Sequence, residues 1–339
     1  MGLRFAIIGC GRIGSRHAEQ ISRVGSLVAA CDTDSERADK MVSLHGGKAY
    51  RSHVEMLDDV KSDVVAVCSP NGLHARHSID SLVAGCHVLC EKPMALSSVD
   101  CGEMIKAAER ANRRLFVVKQ NRFNPPVSKV KELIEAGALG KILSVHVAGY
   151  WNRGEAYYAN DPWKGTLELD GGMVFTQFSH FIDLAYWLVG DVKEVVAFRR
   201  NFIHEGVIEF EDVAVASLLF RSGALGTFQF TVNAFGSNME GSITLFCEKG
   251  TVKIGGQYLN ELEYHRIADI EIADLPQGAA PNQYGHYVGS MSNHNQVYDN
   301  IVSVLGGQGV ISANGFEGLK TVEIIERLYE SANRPGAGL

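Results

Sequence analysis

The sequence feature that most constrains the fold is a glycine-rich motif close to the start of the chain. Leu3–Ile8 is an apolar run of strand length, and a G-x-G-x-x-G motif at 9–14 follows it directly. The residues after the motif have helical periodicity, and a second apolar run, 27–31, then ends in Asp32. This succession predicts a strand, a tight turn, a helix and a second strand that carries an acid at its end.

Each residue type in this pattern has a physical role in binding a dinucleotide. The first glycine permits the tight turn, the second lets the backbone approach a pyrophosphate, and the third lets the helix pack closely on the strand. Free N–H groups at the positive end of the helix hold the pyrophosphate. Asp32 can accept hydrogen bonds from the adenosine ribose and repels a 2′-phosphate, so the pattern predicts NAD rather than NADP. The alternative interpretation is a glycine-rich turn that binds nothing.

Strand-like and helix-like segments alternate as far as about residue 120, which is typical of a parallel sheet with helices on both faces. After Pro125 and Pro126 the pattern changes. A helix and a strand at 142–150 come first, and strand-like segments separated by turn residues fill 192–273, as in an antiparallel meander. The sequence therefore predicts an α/β protein. Its first domain, 1–120, is a doubly wound parallel sheet, and its second, 121–339, is an α+β domain with a large, open, mainly antiparallel sheet.

The segment at 224–232 indicates which face of the second sheet is buried. Apolar and polar residues alternate there, with the apolar set at Phe228, Phe230 and Val232 and the polar set at Thr227, Gln229 and Thr231. An open sheet with one uncovered face exposes more apolar area than a monomer tolerates. We therefore expect the outer face to be a subunit interface in a homo-oligomer.

Lys92 follows an apolar segment, 88–90, that reads as a strand buried on both faces. Glu91 precedes it, and Pro93 ends the strand and keeps Lys92 extended. Ligands of open α/β sheets bind just beyond the carboxyl ends of the strands, so Lys92 is well placed for chemistry. The alternative interpretation is a solvated Glu-Lys pair at a strand end.

The helix predicted at 174–188 carries a polar face, formed at three- and four-residue spacings by Thr176, Gln177, His180 and Asp183. A histidine with a pKa near neutrality can take a proton from a substrate hydroxyl while hydride leaves the same carbon. Lys92, whose pKa burial can lower, could share that proton. We expect His180 and Lys92 to approach one hydroxyl from the two domains. The alternative is that His180 is a satisfied core residue.

Composition and spacing disfavour several other functions. The 339 residues carry a formal charge of −7 and no dense Lys/Arg run, which argues against nucleic acid as the main partner. No apolar run reaches the roughly 18 residues of a membrane span. The seven cysteines form no C-x-x-C pair and lie mostly in apolar runs, which indicates a reduced, cytoplasmic protein. The histidines at 74, 77, 286 and 294 lack zinc-ligand spacing, so we expect no metal.

With these motifs in this order, the chain resembles the Gfo/Idh/MocA oxidoreductases. These are sugar and cyclitol dehydrogenases with a Rossmann domain and a second domain built on an open antiparallel sheet. The resemblance covers nearly the whole chain and rests on the motif at 9–14, the S-P-N-G-L-H segment at 69–74, the E-K-P segment at 91–93, and the helix that carries His180. Segments at 116–122, 169–172, 240–244 and 248–252 are similar to a branch that oxidises the C3 hydroxyl of UDP-N-acetylglucosaminuronate. That step leads to the diacetamido-uronic acids of bacterial surface polysaccharides.

The resemblance implies a catalytic pair, Lys92 and His180, together with cofactor-binding and substrate-binding sets. The implied NAD-binding set is Gly9, Gly11, Arg12, Ile13, Asp32, Ser69, Asn71, His74, Glu91, Lys92, Gln120, Trp163, Lys164 and Tyr298. The implied substrate-binding set is Lys92, Lys119, Asn121, Arg122, Tyr157, Thr176, Gln177 and His180. In the inositol branch an Asp stands four residues before the catalytic His; Thr176 stands there in this chain and cannot supply that charge.

The resemblance also implies a homo-oligomer, which is a tetramer in some members, and reoxidation of NADH by 2-oxoglutarate in some members. Two other functions stay open. One is a dehydrogenase of a free sugar or cyclitol on the same scaffold, and the other is a catalytically silent NAD-binding regulator. Retention of both Lys92 and His180 argues against the silent protein.

Overall fold

The computed structural model describes residues 2–159, 161–273, 275–278, 280–283 and 288–334, so His286 lies outside the described residues. The chain forms two compact units. Unit 1 is Met1–Lys119 with His294–Val322, and unit 2 is Gln120–Asn293 with Glu323–Leu339. A linear division into 1–120 and 121–339 differs from these units because 294–322 belong to unit 1.

Unit 1 contains a six-stranded parallel sheet, which confirms the predicted doubly wound domain. Its strands are β1 (Leu3–Ile8), β2 (Gly25–Cys31), β3 (Lys48–Tyr50), β4 (Val64–Val67), β5 (His87–Cys90) and β6 (Leu115–Val117). The helices between them are α1 (Arg12–Val24), α2 (Ser35–His45), α3 (His53–Asp59), α4 (His74–Val83) and α5 (Ser98–Arg110). The strand order is β3-β2-β1-β4-β5-β6, so the sheet reverses its winding between β1 and β4.

The central strands of this sheet are apolar at successive positions because helices cover both faces. All four residues of β4 are fully buried, as expected for a central parallel strand. The turns that follow β1, β4 and β5 carry the glycine motif, Ser69 and Lys92, in that order. Three predicted site segments therefore lie at one edge of the sheet, at the winding reversal where such sheets bind ligands.

Unit 2 is built on a seven-stranded sheet. Its strands are β7 (Ile142–Tyr150), β8 (Val192–Arg200), β9 (Val213–Phe220), β10 (Leu225–Thr231), β11 (Glu240–Cys247), β12 (Gly250–Gly255) and β13 (Glu261–Ile267), in the order β13-β12-β11-β7-β10-β9-β8. The helices are α6 (Pro125–Glu135), α7 (Glu155–Ala159) and α8 (Ser179–Val189), and a π-helical turn, Val174–Phe178, precedes α8. A separate pair of strands is β14 (Pro281–Gln283) with β15 (Val288–Met291). Two helices end the described chain, α9 (His294–Leu305) and α10 (Gly315–Ala332).

The predicted meander at 192–273 is wrong in one respect. Strand β7, which lies before it in the sequence, is inserted at its centre, where it pairs in parallel with β10 and antiparallel with β11. The alternation of β7 predicts a strand but contains no information about which neighbours it joins. The sheet is therefore mixed, although most of its pairs are antiparallel, as predicted.

The two faces of this sheet differ as the alternation in β10 predicts. Phe228 and Phe230 are each 1% exposed, and the ring of Phe230 stacks on Phe178 with centroids 4.6 Å apart. The opposite face leaves Val196 and Phe198 more than half exposed. Its role as a subunit interface stays a prediction. Among the helices of the described residues, none is long and apolar enough to cross a membrane.

Candidate active site

The glycine motif of unit 1 has the close backbone approaches that its sequence predicts. Gly9 has a φ of +99°, and a Cβ there would lie 2.5 Å from the carbonyl of Cys68. A Cβ on Gly14 would lie 2.1 Å from the Gly9 carbonyl oxygen. A Cβ on Gly11 would instead meet no described heavy atom within 4 Å. Gly9 and Gly14 are thus packed closely against neighbouring backbone, whereas the space beside Gly11 is open. This space lies at the N-terminus of α1 and can take a pyrophosphate.

Asp32 follows β2 and is oriented by backbone donors. Its Oδ2 accepts a hydrogen bond from Cys10 N at 2.7 Å, and its Oδ1 accepts one from Asp34 N at 2.9 Å. These bonds fix the carboxylate beside the glycine motif, where the adenosine ribose is expected. Arg12 begins α1 and is exposed, and Ile13 beside it is partly exposed. The first half of the predicted cofactor set is therefore brought together.

Glu91, at the end of β5, is 5% exposed and holds the start of the Lys92 segment. Its Oε2 accepts from Lys92 N at 3.0 Å, and its Oε1 lies 2.9 Å from His17 Nε2 and 3.4 Å from His294 Nε2. Burial alone would raise the pKa of Glu91, but His17 and His294 hold the pKa well below its ordinary range. Glu91 is therefore a buried anion directly before Lys92.

His17 connects Glu91 to Tyr298. Its Nδ1 lies 2.8 Å from the Tyr298 hydroxyl, and both residues are 0% exposed. Burial lowers the pKa of His17, so a neutral ring donates from Nε2 to Glu91 and accepts at Nδ1 from Tyr298. His17, Glu91 and His294 have ligand atoms within 4.8 Å of one another, but these hydrogen bonds satisfy the first two without an ion. The predicted contact of Tyr298 with the cofactor stays a prediction.

His74 connects the turns that follow β4 and β5. Its Nδ1 lies 2.7 Å from the Pro93 carbonyl oxygen and its Nε2 lies 2.8 Å from the Ser69 carbonyl oxygen. The ring is 1% exposed, and Asn71 beside it is 6% exposed. Burial lowers the pKa of His74, whereas the contacts with the two carbonyl oxygens raise it. The segments at 69–74 and 91–93 are thus tied to each other by one side chain.

In unit 2, two glycines precede the helix that carries His180. Gly171 and Gly172 have φ values of +87° and +134°, and a Cβ on Gly172 would lie 2.2 Å from the Tyr329 hydroxyl. That hydroxyl donates to Glu211 Oε1 at 2.6 Å. The predicted helix at 174–188 is a π-helical turn followed by α8, and such turns are frequent at functional sites.

His180 is 3% exposed and contacts a side-chain amide. Gln120 Nε2 donates to His180 Nε2 at 3.2 Å and to Ser290 Oγ at 3.0 Å. With the amide in this orientation, His180 Nε2 is an acceptor and the ring is neutral. Gln120, predicted in the cofactor set, therefore lies beside the predicted catalytic histidine.

Thr176 replaces the expected acid but lies against one. Its hydroxyl donates to the Asp170 carboxylate, and also to the Asp170 carbonyl oxygen at 3.1 Å. Asp170 is 1% exposed, and its Oδ2 accepts from Gly165 N at 2.8 Å. The inositol branch has an acid at this helical position. In this chain the acid is Asp170, which accepts a hydrogen bond from the Thr176 hydroxyl at that position.

Arg122 and Asp183 form a buried ion pair. Arg122 Nε and Nη2 donate to the two Asp183 oxygens at 2.9 and 2.8 Å, and the guanidinium lies 5.0 Å from the Trp187 ring centroid. Both side chains are 3% exposed or less. In unit 1, Lys119 is also buried and donates to Thr321 Oγ1 at 3.0 Å. Both cations thus have a partner within their own unit, Asp183 for Arg122 and Thr321 for Lys119. Their predicted contacts with the substrate stay predictions.

Asn121 is 2% exposed, and among the described residues its Oδ1 has no hydrogen-bond partner. That oxygen is an acceptor that a substrate hydroxyl or amide could satisfy.

The site contains one buried cation that the predicted residue sets lack. Arg153 is 2% exposed; its Nε donates to Gln177 Oε1 at 2.9 Å, and its guanidinium lies 5.3 Å from the Tyr157 ring centroid. Gln177 Nε2 in turn lies 2.8 Å from the Tyr157 hydroxyl. Lys164 Nζ lies 4.1 Å from the same ring and 2.9 Å from Asp161. The sequence does carry a signal for a buried Arg153, because aromatic residues surround it in the chain and a buried guanidinium stacks well on such rings.

Trp163, also in the predicted cofactor set, is partly exposed, with its ring centroid 5.9 Å from Lys164 Nζ. Tyr157, Gln177, Lys164 and Arg153 therefore form one connected group in unit 2.

Comparisons with known proteins match both parts of the chain. Residues 3–119 match a model described as an oxidoreductase family with an NAD-binding Rossmann fold, and 127–253 match the GFO/IDH/MocA C-terminal domain. The myo-inositol 2-dehydrogenase of Thermotoga maritima is 33% identical over 257 residues, which are 74% of this chain and 74% of that protein. The D-glucoside 3-dehydrogenase of Escherichia coli is 31% identical over 240 residues, 67% of each chain.

Among solved structures, the WlbA dehydrogenase of Bordetella pertussis, crystallised with NADH and UDP-GlcNAcA, is 36% identical with a TM-score of 0.88. The match covers 98% of this chain and 97% of that one. With both domain matches and relatives of this identity and coverage, the chain belongs to the Gfo/Idh/MocA family of NAD-dependent oxidoreductases.

Proposed function

We propose that this enzyme oxidises the C3 hydroxyl of a UDP-N-acetylglucosaminuronate-type nucleotide sugar to a ketone, with NAD as the oxidant. The observation that carries the proposal is the extent of the likeness to the Bordetella pertussis dehydrogenase. That likeness is 36% identity over 98% of the chain with a TM-score of 0.88, to a protein crystallised with NADH and UDP-GlcNAcA.

The proposed chemistry divides between the cofactor and two side chains. Bound NAD supplies the hydride acceptor, so the C3–H bond breaks with its electron pair and the hydroxyl oxygen loses a proton. His180 Nε2 lies 3.2 Å from Gln120 Nε2, and in the tautomer that leaves this nitrogen unprotonated it is the acceptor that a base needs. Lys92 is held at the tip of β5 by Glu91 and is the partner that shares the proton.

The buried polar group of unit 2 supports an anionic substrate. Arg153 and Lys164 both lie at the ring of Tyr157, with the charge of Lys164 offset by Asp161, so Arg153 is the cation of this group that favours an anion. Tyr157 also contacts Gln177, in the π-helical turn that precedes His180. A uronate carboxylate and a diphosphate are anions that buried cations favour. A neutral cyclitol has no use for such charges.

A substrate panel tests the proposal. Protein stripped of nucleotide and reloaded with NAD is assayed for NADH formation with UDP-N-acetylglucosaminuronate, UDP-N-acetylglucosamine, myo-inositol and a D-glucoside. UDP-N-acetylglucosamine is the matched control because it differs only by a hydroxymethyl group in place of the carboxylate. We expect the uronate to give the highest kcat/KM by at least about tenfold, about 1.4 kcal/mol. Faster oxidation of myo-inositol would instead favour the cyclitol function, which the Thermotoga maritima relative supports.

Absence of turnover with every sugar, despite NAD binding, would favour the silent regulator. Three further parts of the proposal need their own measurements. These are reoxidation of bound NADH by 2-oxoglutarate, a tetrameric state, and a role in the biosynthesis of surface polysaccharides. The first is read directly as loss of NADH absorbance when 2-oxoglutarate is added to the reduced enzyme.

A further inference from the structure

His74 has a hydrogen-bond arrangement that a neutral imidazole cannot make. Both of its ring nitrogens face backbone carbonyl oxygens, that of Pro93 at 2.7 Å and that of Ser69 at 2.8 Å. A carbonyl oxygen can only accept, and a neutral imidazole has one N–H and one lone pair. In the neutral ring, one of the two contacts would therefore set a lone pair against an oxygen at hydrogen-bond distance. Both contacts are favourable only when both nitrogens donate.

We propose that His74 is an imidazolium in the working enzyme and acts as a doubly donating clamp that positions Lys92. The clamp joins Ser69, after β4, to Pro93, which immediately follows Lys92. The importance of Lys92 rests on the proposed function, whereas the protonation state of His74 does not depend on it.

The charges around His74 are compatible with a buried cation. Glu91 is anionic and lies in the segment that His74 holds, so it favours the protonated ring. Lys92 and His77 are the other titratable groups that interact with His74, and positive charge on either opposes its protonation. Burial lowers the pKa of His77 to about 4, so His77 adds no charge at neutral pH. Burial opposes the charged ring most strongly and Lys92 opposes it as well, whereas the two carbonyl contacts and Glu91 favour it; the proposal is that the two short carbonyl contacts decide the balance.

The clamp has a mechanical consequence for Lys92. On its N-terminal side, Lys92 N donates to the Glu91 carboxylate; on its C-terminal side, the Pro93 carbonyl is held by His74. The backbone of the lysine is therefore fixed from both sides. Loss of the His74 proton would release one of the two carbonyls and loosen the C-terminal side, while the Glu91 side would stay intact.

Nuclear magnetic resonance of the full-length enzyme, labelled with ¹⁵N-histidine and loaded with NAD, tests the proposal at pH 7. Two-bond proton–nitrogen correlations distinguish an imidazolium, in which both nitrogens carry hydrogen, from a neutral tautomer. His77 lies one turn along α4 and is the internal control, since it should show the neutral pattern. The His74 signal is assigned by its absence in His74→Gln. A neutral pattern for His74 would overturn the proposal, whatever the substrate proves to be.

Two variants separate the clamp from simple packing. The amide nitrogen of His74→Gln offers two N–H donors without charge, whereas His74→Leu fills the space with none. We expect kcat to fall about tenfold in the glutamine variant and about 10²-fold in the leucine variant, because a misplaced catalytic group costs about that much. NAD affinity is titrated in both variants because His74 also stands in the predicted cofactor set, and a fall in kcat that disappears at saturating NAD would count against the clamp. Equal kcat values for the two variants, with both proteins folded, would show that His74 only fills space.

Discussion

The two units hold their candidate catalytic residues in different ways. In unit 1 the anchors are backbone groups: Glu91 accepts from Lys92 N, Asp32 from Cys10 N and Asp34 N, and His74 bridges two carbonyls. In unit 2 the anchors are other side chains, such as Gln120 on His180 and Arg122 on Asp183. A main-chain partner is kept in any substitution of its residue, whereas either partner of a side-chain pair can be lost to one substitution. Unit 2 is thus the part in which small sequence changes can reshape the site.

The largest effect should come from removing a side-chain anchor of unit 2. Asp183→Ala leaves the Arg122 guanidinium buried without its partner, so we expect the free energy of unfolding to fall by about 3–5 kcal/mol. The three tryptophans, at 151, 163 and 187, all lie in unit 2, so their fluorescence during urea denaturation reports this unit.

The control for Asp183→Ala is Glu132→Ala, which breaks the exposed Lys129–Glu132 pair of the same unit and should cost about 0–1 kcal/mol. If both variants unfolded at the same urea concentration, the buried pair would not be an anchor.

The next largest effect concerns the chemistry, and it tests whether both units contribute to it. Lys92→Ala and His180→Asn should each lower kcat about 10²-fold or more, which is the usual worth of a positioned acid or base. NAD affinity and the melting temperature should stay close to those of the parent enzyme. His180→Asn with near-parental turnover of UDP-N-acetylglucosaminuronate would make His180 structural and leave Lys92 as the base.

A smaller effect should distinguish charge from backbone anchoring in unit 1. Asp32→Asn removes the negative charge but keeps one acceptor oxygen for the Cys10 or Asp34 N–H. We expect the parent to bind NAD more tightly than NADP. In the variant, the ratio of the NADP and NAD dissociation constants should fall by about tenfold, about 1.4 kcal/mol. Titration of both nucleotides into stripped protein measures it. Equal or tighter binding of NADP by the parent would show that Asp32 does not select the cofactor.

The smallest effect concerns the exposed face of the unit 2 sheet. Val196 is 61% exposed on this face, and Val196→Ser should weaken self-association about fivefold, about 1 kcal/mol, if the face is a subunit interface. Val83→Ser alters a valine that is 74% exposed in unit 1 and should leave association unchanged. Sedimentation at micromolar concentration compares them. A parent protein that sediments as a monomer would refute the interface.

The sequence predicted unit 1 better than unit 2 because the information in unit 1 is local. The glycine turn, Asp32 and the Lys92 segment each follow an apolar run whose end the sequence marks. The contact between Arg122 and Asp183 joins residues 61 positions apart, and no periodicity indicates such a pair. The insertion of β7 beside β10 has the same cause. Within unit 1, the short elements β3 and α3 have too few residues for a periodicity to mark them.

The assignment of 294–322 to unit 1 has a consequence for how the protein is made. On the ribosome, residues 1–119 emerge first, but α9, which packs on α1, emerges only after the whole of 120–293. Until then His17 lacks Tyr298, Phe5 lacks the tilted aromatic contact with that same ring, and Arg23 lacks Asp299. The nucleotide-binding half therefore cannot complete its packing co-translationally as an independent domain. A truncated fragment that ends near residue 120 would expose this apolar surface, so a minimal nucleotide-binding fragment needs 294–322 joined to it by a linker.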